Sequence, residues 1–278
     1  MAPDSITAQL DELVARGMER REARWLIEEF ASLNDSASQD DLQDAIGRRL
    51  AGEPLQYVLG HWPFRDLDLD VDERVLIPRP ETEELVEIAL EWLIQSRLTS
   101  PLILDLGCGS GAIGLALLGE LTSRNIAATV IGLDVSDDAL MVARANADKH
   151  GLRDITFVKS SWFSELDNSL RGRVDLIVAN PPYVGALELR DLDPVLRYEP
   201  RGALVSADFE GVVGFADLNS IIIEAPRWLS PGGVLICEHA NHQGAATRDT
   251  AIRAQFASAR TVKDVAHLDR ILFAELAP

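Results

Sequence analysis

Cysteine, basic charge and long apolar runs are all scarce in this chain of 278 residues. Only Cys108 and Cys237 occur, without paired spacing. That argues against a disulfide framework or a cysteine zinc site and fits a reducing cytosol. No apolar stretch approaches the roughly 18 residues needed to span a bilayer, so no membrane association is expected. Met1-Ala2-Pro3-Asp4-Ser5 lacks both a basic region and an apolar core, so no secretory signal is expected and a cytoplasmic location is. Lys and Arg number 26 against 45 Asp and Glu, for a net charge of −19. This disfavours a broad phosphate-binding surface, so no direct nucleic-acid partner is expected. A protein partner or a small cationic cofactor fits the balance more easily.

What is present begins with helical periodicity. Ile6, Leu10, Leu13 and Val14 share one 3.6-period face, and Ala23, Leu26, Ile27 and Phe30 share another. Asn34 to Gln39 reads as a polar turn region, after which Leu42, Ile46 and Leu50 resume the spacing. Residues 1–75 carry 17 acidic residues against 8 basic. Such a small unit buries little core alone and reads as an accessory, partner-recognition domain with a following β-hairpin linker. In that hairpin Leu67, Leu69 and Val71 alternate with Asp68, Asp70 and Asp72, and Val75, Leu76 and Ile77 are the expected mate. Glu81 to Trp92 then restarts as a helix.

From Pro101 short apolar runs alternate with helical patterns. Strands are expected at Leu102–Leu106, Thr129–Leu133, Ile155–Val158, Val174–Ala179, Gly233–Cys237, Thr261–Val265 and Arg270–Glu275. The alternation predicts an α/β fold, a parallel sheet with helices on both faces. The last two strands are joined too tightly for a parallel crossover, so they should form a terminal antiparallel hairpin.

Two segments carry chemistry. In "ILDLGCGSGAIGLALLGEL" a strand ends at Asp105, and Gly107-Cys108-Gly109-Ser110-Gly111 opens a helix. Glycines allow a sharp turn and close approach of a ligand at the carboxyl edge of the sheet. The spacing is Gly-x-Gly-x-Gly with no Lys-Ser/Thr after it, so this is not a phosphate-cradling loop; a dehydrogenase-type loop is the competitor. Asp134, ending the next strand, can accept both hydroxyls of a ribose. A ribose without phosphate suggests an adenosine carrying a cationic sulfonium, with Asp105 near its charge. Cys108 reads as a packing residue, with no basic partner beside it.

The second segment is "VDLIVANPPYV", a buried strand ending in Asn180-Pro181-Pro182-Tyr183. Asn offers an amide carbonyl, and Pro a carbonyl held at fixed φ. Asn180 Oδ1 and the Pro181 carbonyl can converge on one planar NH2 group, with Pro182 stiffening the corner and Tyr183 as an aromatic wall. Such a site fits a side-chain amide or an exocyclic base amine. An ordinary capped turn is the alternative for Asn-Pro alone.

With "GHWPFRDLDLDVDERVLIPRPETEELV", "DLGCGSGAIGLAL", "GLDVSDDAL", "SSWF", "NPPYV", "RYEPRGALVSADFEG" and "LSPGGVLICEH" in place, the chain resembles the glutamine N5-methyltransferases of the HemK/PrmC type over essentially its whole length. The resemblance implies a Rossmann-like class I S-adenosylmethionine methyltransferase sheet over residues 76–278, following the helical recognition domain of residues 1–75. It implies cofactor contacts at Gly107, Cys108, Gly109, Ser110, Gly111, Asp134, Trp162 and Asn180, beside the Asp105 contact expected from the strand end. It places the substrate glutamine at Asn180 to Tyr183, with Arg79, Pro80, Glu81 and Thr82 flanking the entrance. The implied partner is a class I peptide chain release factor, methylated at the Gln of its Gly-Gly-Gln motif by a monomeric enzyme. A ribosomal-protein glutamine, a nucleic-acid amine and cofactor binding without turnover are the alternatives. Ser161 stands where the family often has an acidic residue, and Glu238-His239-Ala240 where it often has Glu-Xaa-Gly. No metal site is expected; His239 and His242 read as solvated loop histidines.

Overall fold

The computed structural model describes residues 3–31, 36–190, 192–264 and 267–278. Four helices open it: α1 (Pro3–Ala15), α2 (Arg20–Ala31), α3 (Ser36–Leu50) and α4 (Leu55–Leu59). Leu10, Leu13, Ala23, Leu26, Ile27, Leu42 and Ile46 meet in one small core, the faces that the helical spacing predicts. Val14 and Leu50, in the last turns of α1 and α3, remain more than a third exposed. The side chain of Ile6 and the turn residues Asn34 and Asp35 lie outside the described residues. Ser36 to Gln39, expected in the turn, begin α3 instead.

A hairpin follows, β1 (His61–Phe64) and β2 (Leu67–Asp70), paired antiparallel with Phe64 opposite Leu67. The alternation predicts β2, but its mate precedes it rather than following at Val75–Ile77. Val75 and Ile77 are buried, yet their backbone groups find partners outside a ladder: the Val75 N–H donates to the Asp72 carbonyl at 3.1 Å, Tyr57 Oη donates to the Val75 carbonyl at 2.5 Å, and the Ile77 N–H donates to Glu199 Oε2 at 3.0 Å. A strap satisfied in this way needs no ladder partner. Phe64 and Leu69 pack into the core of the main sheet, not into the helical cluster.

Helix α5 (Pro80–Ser96) starts with Pro at its first position and Glu81 and Glu83 in its first turn, where the macrodipole favours acids. The alternating region then comprises β3 (Leu102–Leu106), α6 (Ala112–Ser123), β4 (Thr129–Asp134), α7 (Asp137–Lys149), β5 (Ile155–Lys159), β6 (Val174–Ala179), β7 (Val184–Gly185), α8 (Arg201–Leu204), β8 (Val205–Ser206), α9 (Ala216–Glu224), β9 (Leu229–Glu238), α10 (Gly244–Arg253), β10 (Ser258–Lys263) and β11 (Asp269–Glu275). The seven-stranded sheet runs β10-β11-β9-β6-β3-β4-β5. Neighbours from β9 to β5 are parallel, and β11 and β10 pair antiparallel at the end. The expected terminal hairpin is therefore present, although Val265 lies outside the described residues.

The largely apolar runs of β3 and β6, each interrupted by one aspartate, follow from burial on both faces. Ile103, Leu176 and Val178 face one core, under α5, α6 and the hairpin. Leu104, Leu106, Ile177 and Ala179 face the other, with Phe215, Leu218 and Trp228. From β3 the chain winds through α6 to β4 on one side, while β6 lies on the other. That divergence opens a crevice at the carboxyl ends of β3 and β6. Ala179 pairs with Leu106 of β3 and with Cys237 of β9. Gly107, Asn180 and Glu238 thus leave the sheet side by side. Among the described residues no helix is long and apolar enough to cross a membrane.

Candidate active site

A cavity of about 280 Å³ occupies this crevice, lined in part by Gly107, Gly109, Asp134, Ser136, Trp162, Asn180 and Pro182. Gly107, Gly109 and Gly111 all have positive φ, at 68°, 54° and 83°, a region that side chains rarely adopt. A Cβ on Gly107 would also stand 3.4 Å from the Trp162 ring, so the missing side chain leaves that face open. Asp134 Oδ2 accepts from the Gly109 N–H and Oδ1 from the Ser136 N–H, each at 2.9 Å. The carboxylate is thereby aimed, and each oxygen retains a lone pair. Trp162 is held just as firmly. Its backbone has φ of 50° and its carbonyl accepts from Ser160 Oγ at 2.8 Å, while Nε1 donates to Asp217 Oδ1 at 3.2 Å.

These walls fit an adenosine-type ligand without phosphate: a fixed carboxylate for vicinal hydroxyls, a broad ring for a base and, among the described residues, no lysine. Arg74, the one cation lining the cavity among the described residues, is already neutralised by Asp72 at 2.8 and 2.6 Å. The opposite wall comes from Val75 and Leu76 of the strap and from Pro200, Gly202 and Ala203.

Several residues expected at the ligand stand elsewhere. Asp105 does not line the cavity. The pleat puts it on the same face as Ile103, under α6, where it is fully buried and Oδ2 accepts from the Gly114 N–H at 2.8 Å. Oδ1 has no partner, and burial pushes the carboxyl up to about 7. Cys108 packs with Leu140 and Ala143, and burial raises its thiol well above the usual range; the packing role expected of it holds. Ser110 is buried, its carbonyl accepting from Asn146 Nδ2 at 2.9 Å. Gly111 caps α6. Arg79 pairs with buried Glu199 rather than lining the cavity.

At the end of β6, Asn180 and Pro182 reach the cavity, while Pro181 is buried. Asn180 Nδ2 donates to Thr82 Oγ1 at 3.0 Å, which leaves Oδ1 as the end available to a ligand. Thr82 Oγ1 donates in turn to Glu238 Oε2 at 2.8 Å. Tyr183 is half-buried, and its hydroxyl donates to Glu238 Oε1 at 3.0 Å. The tyrosine is therefore anchored from behind, and burial together with the Glu238 charge pushes its phenol above the usual range. Burial likewise raises the Glu238 carboxyl.

In the sequence Glu238 is met only as the start of Glu238-His239-Ala240, with no role given to its carboxylate, and Asp217 is not met at all. For Glu238 a signal existed: it ends a parallel strand beside β6, the same edge that supplies Asn180. Asp217, at the start of α9, offers none. His239 is fully buried, not solvated; Nδ1 donates to the Ala240 carbonyl at 2.9 Å, and burial lowers its pKa. Among the described residues no three His, Cys, Asp or Glu side chains gather as a metal site.

A model described as "Methyltransferase domain" matches residues 101–272. The release factor glutamine methyltransferase of Haemophilus influenzae is 39% identical over 233 residues, 81% of this chain and 77% of that protein. The protein of the same name from Chlorobaculum tepidum is 43% identical over 232 residues, 81% and 76% of the two chains. Among solved structures, a methyltransferase from Pyrococcus furiosus superposes with a TM-score of 0.52 at 15% identity, covering 88% of this chain and all of that one. A T. thermophilus 16S rRNA N2 G1207 methyltransferase in complex with AdoMet and guanosine gives 0.51 at 20% identity, covering 78% and 49%. The superpositions speak for the fold alone, a Rossmann-like sheet of methyltransferase type. With identities near 40% across four-fifths of its length, the chain belongs to the release factor glutamine methyltransferase family.

Proposed function

We propose that this protein methylates the side-chain amide nitrogen of a glutamine, the one in the Gly-Gly-Gln motif of class I peptide chain release factors, using S-adenosylmethionine. The observation that carries the chemistry is Asn180, at the cavity with its nitrogen tied to Thr82 and its oxygen left over. The names of the curated relatives support the release factor as substrate.

When bound, S-adenosylmethionine supplies an electrophilic methyl carbon on a cationic sulfonium. Asp134 receives the ribose hydroxyls, Gly107 and Gly109 admit the ligand against bare backbone, and Trp162 walls the base. Asn180 Oδ1 and the Pro181 carbonyl accept the two hydrogens of the glutamine NH2. That nitrogen is a poor nucleophile, because its lone pair is delocalised into the carbonyl; the rotation barrier of ~18–20 kcal/mol in a peptide bond reflects this. Two acceptors drawing on its hydrogens favour a pyramidal nitrogen and return density to the lone pair. They bind the reacting geometry more tightly than the planar one, which is what accelerates a step. The surplus N–H proton becomes acidic once nitrogen carries four substituents and passes to water. Among the described residues no His or Lys lines the cavity, and none is required.

Residues 1–75 serve as the recognition domain, with 17 acidic residues against 8 basic, and residues 76–278 as the catalytic domain of a cytoplasmic monomer. The test is incubation with labelled S-adenosylmethionine and a bacterial release factor, followed by mass spectrometry of tryptic peptides. A gain of about 14 Da, the net CH2 of a hydrogen exchanged for a methyl group, is expected on the motif glutamine and not on the Gln→Ala variant. Label on RNA or DNA, with none on the release factor, would overturn the reading.

A further inference from the structure

We infer that Glu238 and Thr82 are positioning residues that decide which end of the Asn180 amide faces the substrate. This deepens the glutamine reading above and rests on it.

The argument is one of hydrogen-bond polarity. Both groups that meet Glu238 donate to it, Thr82 Oγ1 to Oε2 at 2.8 Å and Tyr183 Oη to Oε1 at 3.0 Å. A threonine hydroxyl has one proton. With that proton committed to Glu238, Oγ1 can only accept from its next neighbour. Asn180 meets it at 3.0 Å and must present Nδ2. An amide that donates at one end offers its carbonyl at the other. The direction of the chain is thus set by the buried acid and read out at the cavity.

Sterically an asparagine fits nearly as well with its amide turned over. Turned over, it would aim NH2 at a substrate NH2, donor against donor. The distinction is enforced where water cannot relax it: Thr82 is 3% exposed and Glu238 1%. Thr82 sits in the first turn of α5 and Glu238 at the carboxyl end of β9, so two separate elements converge behind the motif. The same carboxylate holds Tyr183, which ties both ends of Asn-Pro-Pro-Tyr to one group.

The test compares Thr82→Val, which keeps shape and loses the hydroxyl, with Thr82→Ser, which keeps the hydroxyl. Loss of one oriented hydrogen bond in the interior should lower kcat for release-factor methylation roughly 10- to 100-fold in Thr82→Val. The Kd for S-adenosylmethionine should move little, the Tm should fall by a few degrees as Glu238 loses a donor, and Thr82→Ser should recover most of the rate. Glu238→Gln inserts a donor where the chain needs an acceptor and should lose at least as much, with the double variant losing little more than Glu238→Gln alone. A rate in Thr82→Val within twofold of wild type would overturn the inference, as would equal losses in the Val and Ser variants. A second readout is independent of substrate. In protein labelled with 15N-asparagine, the Asn180 side-chain NH2 should be slow to exchange in wild type and Thr82→Ser, and fast in Thr82→Val. Wild-type protein that leaves release factors unmethylated would sink the glutamine reading, while this NMR comparison would still decide the relay. Exchange unchanged in Thr82→Val would refute it.

Discussion

Arg79 and Glu199 form an ion pair behind the walls of the cavity, with the carboxylate buried and the guanidinium half-buried. Glu199 also accepts the Ile77 N–H at 3.0 Å. One acid therefore joins the strap that supplies Val75 and Leu76 to the segment that supplies Pro200, Gly202 and Ala203. Glu199→Ala leaves a buried N–H and a charge without partners and should cost about 3 kcal/mol. Urea titration at unchanged m-value reads this directly, and a loss below about 0.5 kcal/mol, typical of a surface pair, would contradict it.

Asp134→Asn should separate cofactor binding from chemistry. Replacing a charged acceptor by a neutral one should weaken S-adenosylmethionine binding about 10- to 100-fold, the equivalent of roughly 1.5–3 kcal/mol. At saturating cofactor kcat should return close to wild type, since the proposed function sets Asp134 against the ribose and not the amide. Calorimetry and saturation kinetics measure the two halves; an unchanged Kd would remove Asp134 from the site.

Asn180→Ala should do the reverse. Losing an acceptor that acts on the reacting nitrogen should reduce the single-turnover rate about 100- to 1000-fold, the scale found for preorganised hydrogen-bonding groups. Cofactor affinity should stay within about tenfold. An unaltered rate would sink the acceptor role.

Asp105 predicts a pH dependence of stability in the ligand-free protein. Its folded pKa of about 7 lies above the ordinary carboxyl value. The folded state therefore holds the proton more tightly than the unfolded chain. The resulting stability is fully present below about pH 4 and is lost as pH rises through 7. Its upper bound is about 4 kcal/mol. Asp105→Asn carries no such proton, so the stability of wild type relative to the variant should fall between about pH 4 and 8. Chemical denaturation across that range checks it; a constant difference would show that the carboxyl ionises normally.

The repeating part of the molecule was the legible part. Leu102–Leu106 and Val174–Ala179 match their strands end to end because both faces are buried and each run is apolar but for one aspartate, Asp105 and Asp175. The glycine loop and the Asn180 corner could be read because each function sits in consecutive residues. The hairpin could not: β1 is four residues long and contains Pro63, which weakens any strand signal, while apolar Val75–Ile77 imitates one. The side of the sheet taken by Asp105 required knowing where α6 lies. The Thr82–Glu238 contact joins residues 156 apart, a separation that no local pattern encodes.

Strand β6 lies between the strand that leads into the glycine loop and the strand that ends at Glu238, with Ala179 opposite both Leu106 and Cys237. The backbone ladders on its two edges act as a ruler for the methyl hand-over. Exchanging one apolar side chain for another inside β6 leaves the graduations alone, whereas deleting a single residue turns Asn180 to the far face and severs donor from recipient.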